Sequence, residues 1–137
     1  MSRTHSPIRE SVKMENQKLE GIDIAERKIV VEKILLEFML LPQNKGMRYV
    51  QYAILGAYDF YCNAPLANEI YPNVARRFEV RPQTVEVVIR KTIESAWKET
   101  PISIKEKYFG ISWAGSKLKP TNGEFIAGIV AWMKREG

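Results

Sequence analysis

Apolar residues recur at helical spacing along most of the chain, and proline-centred breaks divide that pattern into pieces of one helix each. Strand-type alternation is almost absent, so the spacing predicts an all-α fold. Residues 1–22 lack a clean hydrophobic period and contain Pro7 and Gly21; they read as an N-terminal tail ahead of one domain over residues 23–137. Asp23 is a suitable N-cap for a first helix, with Val30, Val31, Ile34, Leu35, Phe38 and Leu41 on its apolar side and Pro42 at its end. A second helix is expected from Lys45 to Tyr61, burying Met47, Val50, Ala53, Ile54, Ala57 and Tyr61. Pro65 is placed to open a third over Leu66–Phe78. Within it Pro72 must force a kink or a restart, because proline lacks the N–H and crowds the preceding turn. Pro82 opens a fourth helix through Lys98, and a short fifth spans Ser103–Phe109 with Gly110 at its C-cap. After a loop rich in Gly, Ser and Lys, Thr121 and Glu124 form a T-x-x-E capping box for a last helix with Phe125, Ile126, Ile129, Val130 and Met133 on its core side. A six-helix domain around one core follows, and 137 residues suffice to build it.

Composition then narrows the function. No apolar run approaches the roughly 20 residues that span a bilayer, and the polar N-terminus is unlike a secretory leader, so a cytoplasmic protein without membrane contact is expected. One cysteine, Cys62, and one histidine, His5, leave no internal disulfide, no cysteine-based zinc site and no nucleophile with an orienting partner. Cys62 reads as a small buried hydrophobe, and the tryptophans and other helically spaced aromatics as core. Paired carboxylates at useful spacing and glycine-rich phosphate loops are missing too; neither an enzyme nor a cofactor or metal is expected. The formal charge of +5 suits a polyanionic partner. Its distribution says more: Arg76, Arg77, Arg81, Arg90, Lys91 and Lys98 gather around the third and fourth helices.

Those two helices have the spacing of a helix-turn-helix, over roughly Leu66 to Lys98. Close packing of two turn-linked helices demands a small residue on the first, here Ala75, and apolar contacts at set offsets, here Phe78, Val80, Val85 and Val88. Glu79 stands where the turn often has glycine. On the fourth helix Val85, Val88, Ile89, Ile93, Ala96 and Trp97 make a core stripe. The opposite side carries Gln83, Val87, Arg90, Lys91, Glu94 and Lys98, flanked by Thr84 and Glu86. Set in a major groove, Gln83, Thr84 and Glu86 would reach base edges, and Val87 a thymine methyl. Arg81, Arg90, Lys91 and Arg77 suit phosphates, and Lys119 is a further phosphate candidate. The bland alternative for such a stripe is a solvated helix face.

Four motifs carry a family resemblance: KG-x-x-Y-x-x-x-AI at Lys45 to Ile54, YP-x-x-A-[RK]-[RK]-F at Tyr71 to Phe78, V-E-x-x-IR-x-x-IE-x-AW at Val85 to Trp97, and KPTN-x-EFIA at Lys119 to Ala127. With Phe109–Gly110 between the last two, the chain from Ile29 to Arg135 resembles the C-terminal effector domain of the sporulation master response regulators of endospore-forming bacteria, the stage zero sporulation protein A family. That resemblance implies promoter binding as dimers or tandem copies on DNA, with the RNA polymerase sigma subunit as a second partner. It matches Glu86 to a base-contacting glutamate, Arg90 to a backbone-contacting arginine, and Lys91 to a histidine of similar role. Thr84 and Val87 depart from it, because the family has arginines there. A second departure is the 22-residue tail, too short for the phosphate-accepting receiver domain, so control by phosphorylation within the chain is not expected. The alternative function is an interaction module that kept the fold, lost specific DNA reading, and binds another regulator or the polymerase.

Overall fold

The computed structural model describes residues 24–60, 64–111 and 119–136. The expected tail and its His5, the Asp23 cap, Tyr61, Cys62 and Trp113 lie outside them. Among the described residues there is no strand, and six α-helices are present. These are α1 over 24–37, α2 Lys45–Tyr58, α3 Tyr71–Phe78, α4 Pro82–Glu99, α5 Ile102–Phe109 and α6 Asn122–Glu136. A one-turn π-helix, Leu66–Ile70, leads into α3.

The first helix ends at Glu37, five residues before the proline expected to stop it. Met39 adopts a left-handed conformation with φ 68°, and its N–H reaches Leu36 O at 3.0 Å while the Leu40 N–H reaches Leu35 O at 3.0 Å. This double closure is the Schellman pattern, which satisfies carbonyls the helix end would otherwise strand. A non-glycine residue in that conformation costs roughly 1–2 kcal/mol. The closure turns Leu40 into the core at 2% exposure, and burying a leucine is worth about 1.5–3 kcal/mol, so the trade favours the early stop.

Pro72 acts by restart. The Pro65 carbonyl accepts from both Glu69 N at 2.9 Å and Ile70 N at 3.2 Å, and Tyr71 N donates back to Leu66 O. This widened turn shifts the hydrogen-bond register so that Pro72, with no N–H, falls in the first turn of α3, where that donor has no intrahelical partner to lose. The later boundaries follow the sequence closely. Gly110 closes α5 at φ 89°, and the capping box of α6 is reciprocal: Thr121 N donates to Glu124 Oε1 at 2.9 Å and Glu124 N to Thr121 Oγ1 at 3.1 Å.

The core centres on Phe38, the buried residue that directly follows α1. Its ring meets Trp97, Tyr108, Phe109 and Phe125 with centroids 6.2, 5.3, 5.9 and 5.2 Å away. One residue thereby joins α1 to α4, α5 and α6. Around it lie the expected Val31, Ile34 and Leu35, the α2 residues Met47, Val50, Ala53, Ile54 and Ala57, and Phe125, Ile126, Ile129 and Met133 of α6, all buried. The α2 helix carries a polar residue inward as well: Gln51 is fully buried, donates to Lys28 O at 3.2 Å and accepts from Arg48 at 2.9 Å. Gly46 marks a close approach, since a Cβ there would lie 1.9 Å from Thr92 Oγ1 of α4. That contact gives the KG dipeptide a physical reason.

The α3–α4 turn is left-handed at Glu79, φ 55° and ψ 49°, the position where the sequence lacks glycine. Val80 N closes it on Ala75 O at 3.0 Å, and Ala75 is buried at 3% exposure. Replacing Glu79 by glycine is expected to raise stability by about 1 kcal/mol, since the left-handed penalty vanishes while part of the gain is lost to glycine's freer unfolded chain. Urea unfolding of the two proteins side by side checks this. An unchanged or lower midpoint would mean that the Glu79 side chain holds the turn.

Candidate nucleic-acid interface

The α4 helix is amphipathic in the way its sequence predicts. Val85, Ile89, Ile93 and Trp97 are buried, whereas Arg81, Gln83, Thr84, Arg90, Lys91, Glu94 and Lys98 are exposed and Glu86, Val87 and Val88 half-buried. Its first turn is open. Arg81 is the extended N-cap residue, Pro82 follows at the first helical position, and no side chain caps the end. Gln83 and Thr84 therefore stand beside the positive end of an 18-residue helix with an exposed arginine next to them.

The charged residues along this face are only loosely committed. Glu86 and Arg90 pair at 3.6 Å one turn apart, with their side chains 37% and 49% exposed. A pair so exposed is worth a few tenths of a kcal/mol, so either partner can be exchanged for a base or a phosphate at little cost. Lys119 lies 3.8 Å from Glu94, which brings the loop before α6 to the middle of α4. Arg77 points elsewhere: its guanidinium stacks over the Tyr52 ring of α2 at 4.1 Å. The seven α4-side candidates, from Arg81 to Lys91, thus lie on one helix, Lys119 joins that helix through Glu94, and Arg77 belongs to a separate cluster.

A residue that the sequence did not single out fixes the helix in place. Asn122, at the start of α6 and 9% exposed, donates from its amide nitrogen to the Tyr71 hydroxyl at 3.0 Å and to the Glu86 carbonyl at 3.1 Å. One side chain ties α6 to the beginning of α3 and to the exposed half of α4. Burial raises the Tyr71 phenol above its ordinary value; the Asn122 hydrogen bond opposes this, and the Glu86 charge adds to it. The phenol therefore stays neutral at any physiological pH. Its signal in the sequence is the KPTN motif, in which Thr121 caps and Asn122 clamps.

Among the described residues no three His, Cys, Asp or Glu side chains come together to hold a metal ion, and no helix is long and apolar enough to cross a membrane. What α4 offers is a strip of hydrogen-bonding side chains, edged by cations, on a rigidly held helix. Such a strip, left uncovered on an all-α domain, has the chemistry that a DNA-binding regulator needs. The sequence matches the family described as Sporulation initiation factor Spo0A C terminal over residues 31–133, and the chain belongs to that family. At the family level it is a DNA-binding effector domain of transcription regulation.

Proposed function

We propose that this chain is a sequence-specific transcription regulator that reads duplex DNA with α3 and α4 as a helix-turn-helix, the N-terminal half of α4 entering the major groove. The observation that carries the reading is the open first turn of α4, with Gln83 and Thr84 exposed beside Arg81 while the opposite side of the helix is buried. Gln83, Thr84 and Glu86 are the base-reading groups, Val87 the contact for a thymine methyl, and Arg81, Arg90 and Lys91 the phosphate anchors. Arg77 and Lys119 would join them only by leaving Tyr52 and Glu94. One recognition helix covers one half-site, so dimers or tandem copies on DNA, and a contact with the polymerase sigma subunit away from α4, belong to the same proposal.

Selection of bound sequences from a random duplex pool, followed by titration of the winner at two salt concentrations, tests the reading. A reproducible motif is expected, bound well above random DNA. Neutralising Arg90 or Lys91 should lower the dependence of log affinity on log salt by about one unit each. Absence of any enriched motif would replace this reading with the interaction module. The same assay addresses the departure from the family. Thr84→Arg together with Val87→Arg should raise affinity for the family's usual box by about tenfold or more, since each bidentate arginine–guanine pair is worth roughly 1–3 kcal/mol. No gain would mean that the two side chains do not face bases.

A further inference from the structure

A second cationic cluster lies where α1, α2 and α3 meet, and no residue of α4 lines it. Arg77 stacks on Tyr52 at 4.1 Å from one side and Lys28 approaches the same ring at 5.3 Å. Arg27 covers the neighbouring ring of Tyr58 at 4.0 Å. Beside Tyr52, and lined by Arg27, Arg77 and Asp59, runs a groove of about 310 Å³, floored by Leu55, Gly56 and Val74. We propose that this groove is a docking site for an acidic, apolar-studded peptide segment of a partner protein, with carboxylates on Arg27 and Arg77 and an aliphatic or aromatic side chain on the floor between them.

Charge complementarity is the first reason. Among the described residues Arg77 and Lys28 form no ion pair, and the carboxylate nearest the groove is Asp59, bound to Arg27 at 3.3 Å. Asp59 is itself 75% exposed, and a pair that open to water contributes little. A partner carboxylate can take its place on Arg27 cheaply, and the rim already displays the chemistry proposed. The field of the cluster is legible at Tyr52, whose phenol is held below its ordinary value by its hydrogen bond to Lys28 and, against an opposing effect of burial, by the charges of Arg77, Lys28 and Arg48. The floor is the second reason. Two cations, Arg27 and Arg77, beside apolar surface and the Tyr52 ring suit a chain that alternates acids with apolar side chains; a duplex presents phosphates without apolar groups between them.

The test is fluorescence polarisation with a labelled 12-residue peptide repeating Glu-Leu-Asp-Phe, titrated with the full chain in dilute salt. The expected result is saturable binding. It should weaken at least tenfold when the peptide acids become amides, and likewise when its apolar residues become serine. Arg27→Gln with Arg77→Gln should lower peptide affinity at least tenfold, and Arg27→Gln alone, at a residue outside the DNA-facing candidates, should leave affinity for duplex DNA within about threefold. Arg90→Ala on α4 should leave the peptide unaffected. If the double variant unfolds, as thermal melting would reveal, Lys28→Glu on the exposed rim takes its place with the same expectation at about fivefold. The proposal is overturned if the wild-type chain does not bind the peptide, if the rim variants bind it unchanged, or if Arg90→Ala weakens it equally. Stoichiometric displacement of the peptide by random duplex DNA would also overturn it, assigning the groove to DNA. None of these results depends on whether α4 reads a specific sequence.

Discussion

Phe38→Ala is expected to destabilise the domain by about 3–5 kcal/mol, the range for emptying a large aromatic site in a packed core. Four rings face Phe38 within 6.2 Å, on three different helices, and they cannot collapse toward one another without moving those helices. Against a total stability of about 5–15 kcal/mol for a domain of ordinary size, the loss is about a fifth or more. Leu36→Ala, two positions earlier in the last turn of α1 and 42% exposed, provides the contrast: its expected cost is under about 1 kcal/mol. Urea titration of both variants measures the difference. A Phe38→Ala loss below about 1.5 kcal/mol would mean that the aromatic cluster is not the organising contact between α1 and the helices after it.

Asn122→Ala is expected to cost about 2–3 kcal/mol, and unlike Phe38→Ala it acts directly on α4. Two hydrogen bonds go, each worth about 1 kcal/mol net, and the removal leaves the buried Tyr71 oxygen and the Glu86 carbonyl without that donor. Asn122→Asp should be worse than alanine, although it is nearly isosteric. It replaces a donor by a carboxylate aimed at a carbonyl oxygen, within a site that burial has already made hostile to charge. Stability measured at neutral pH for the three proteins orders them wild type, Ala, Asp. The duplex-binding assay should show both variants binding more weakly than their folded fraction explains, because the exposed half of α4 is no longer pinned. If Asp proved as stable as wild type, the amide would not be donating to Glu86, and the clamp would be wrong.

The parts of this fold that the sequence discloses are those decided within a few residues. The Thr121–Glu124 box, the Gly110 stop, the Pro72 restart and the helical stripes of α4, α6 and, as far as Ala57, α2 depend on local geometry and stand where the spacing put them, although α2 ends at Tyr58 and not at Tyr61. The end of α1 was misplaced because Pro42 marks only where a helix must have ended, whereas Met39 and Leu40 decide where it does end through a tertiary gain. The π-turn at Leu66–Ile70 has no sequence mark beyond the proline it accommodates. At the candidate site the exposed side of α4 could be read from periodicity. Arg77 could not be separated from its neighbours, since one residue along a helix is a rotation of about 100°, enough to turn it from the α4 side onto Tyr52. Asn122 was invisible for a different reason. An asparagine at a helix start is ordinary, and its partners lie 51 and 36 residues away in the chain.

The form of that clamp has an evolutionary consequence. Asn122 grips α4 by the main-chain oxygen of residue 86, a group that any amino acid at that position supplies. The angle of the helix is therefore independent of which side chains its outer surface displays. Descendants of one ancestral domain can exchange residues such as Thr84, Glu86 and Val87 without reopening the fold at each step; where those side chains read bases as proposed, the choice of operator changes with them.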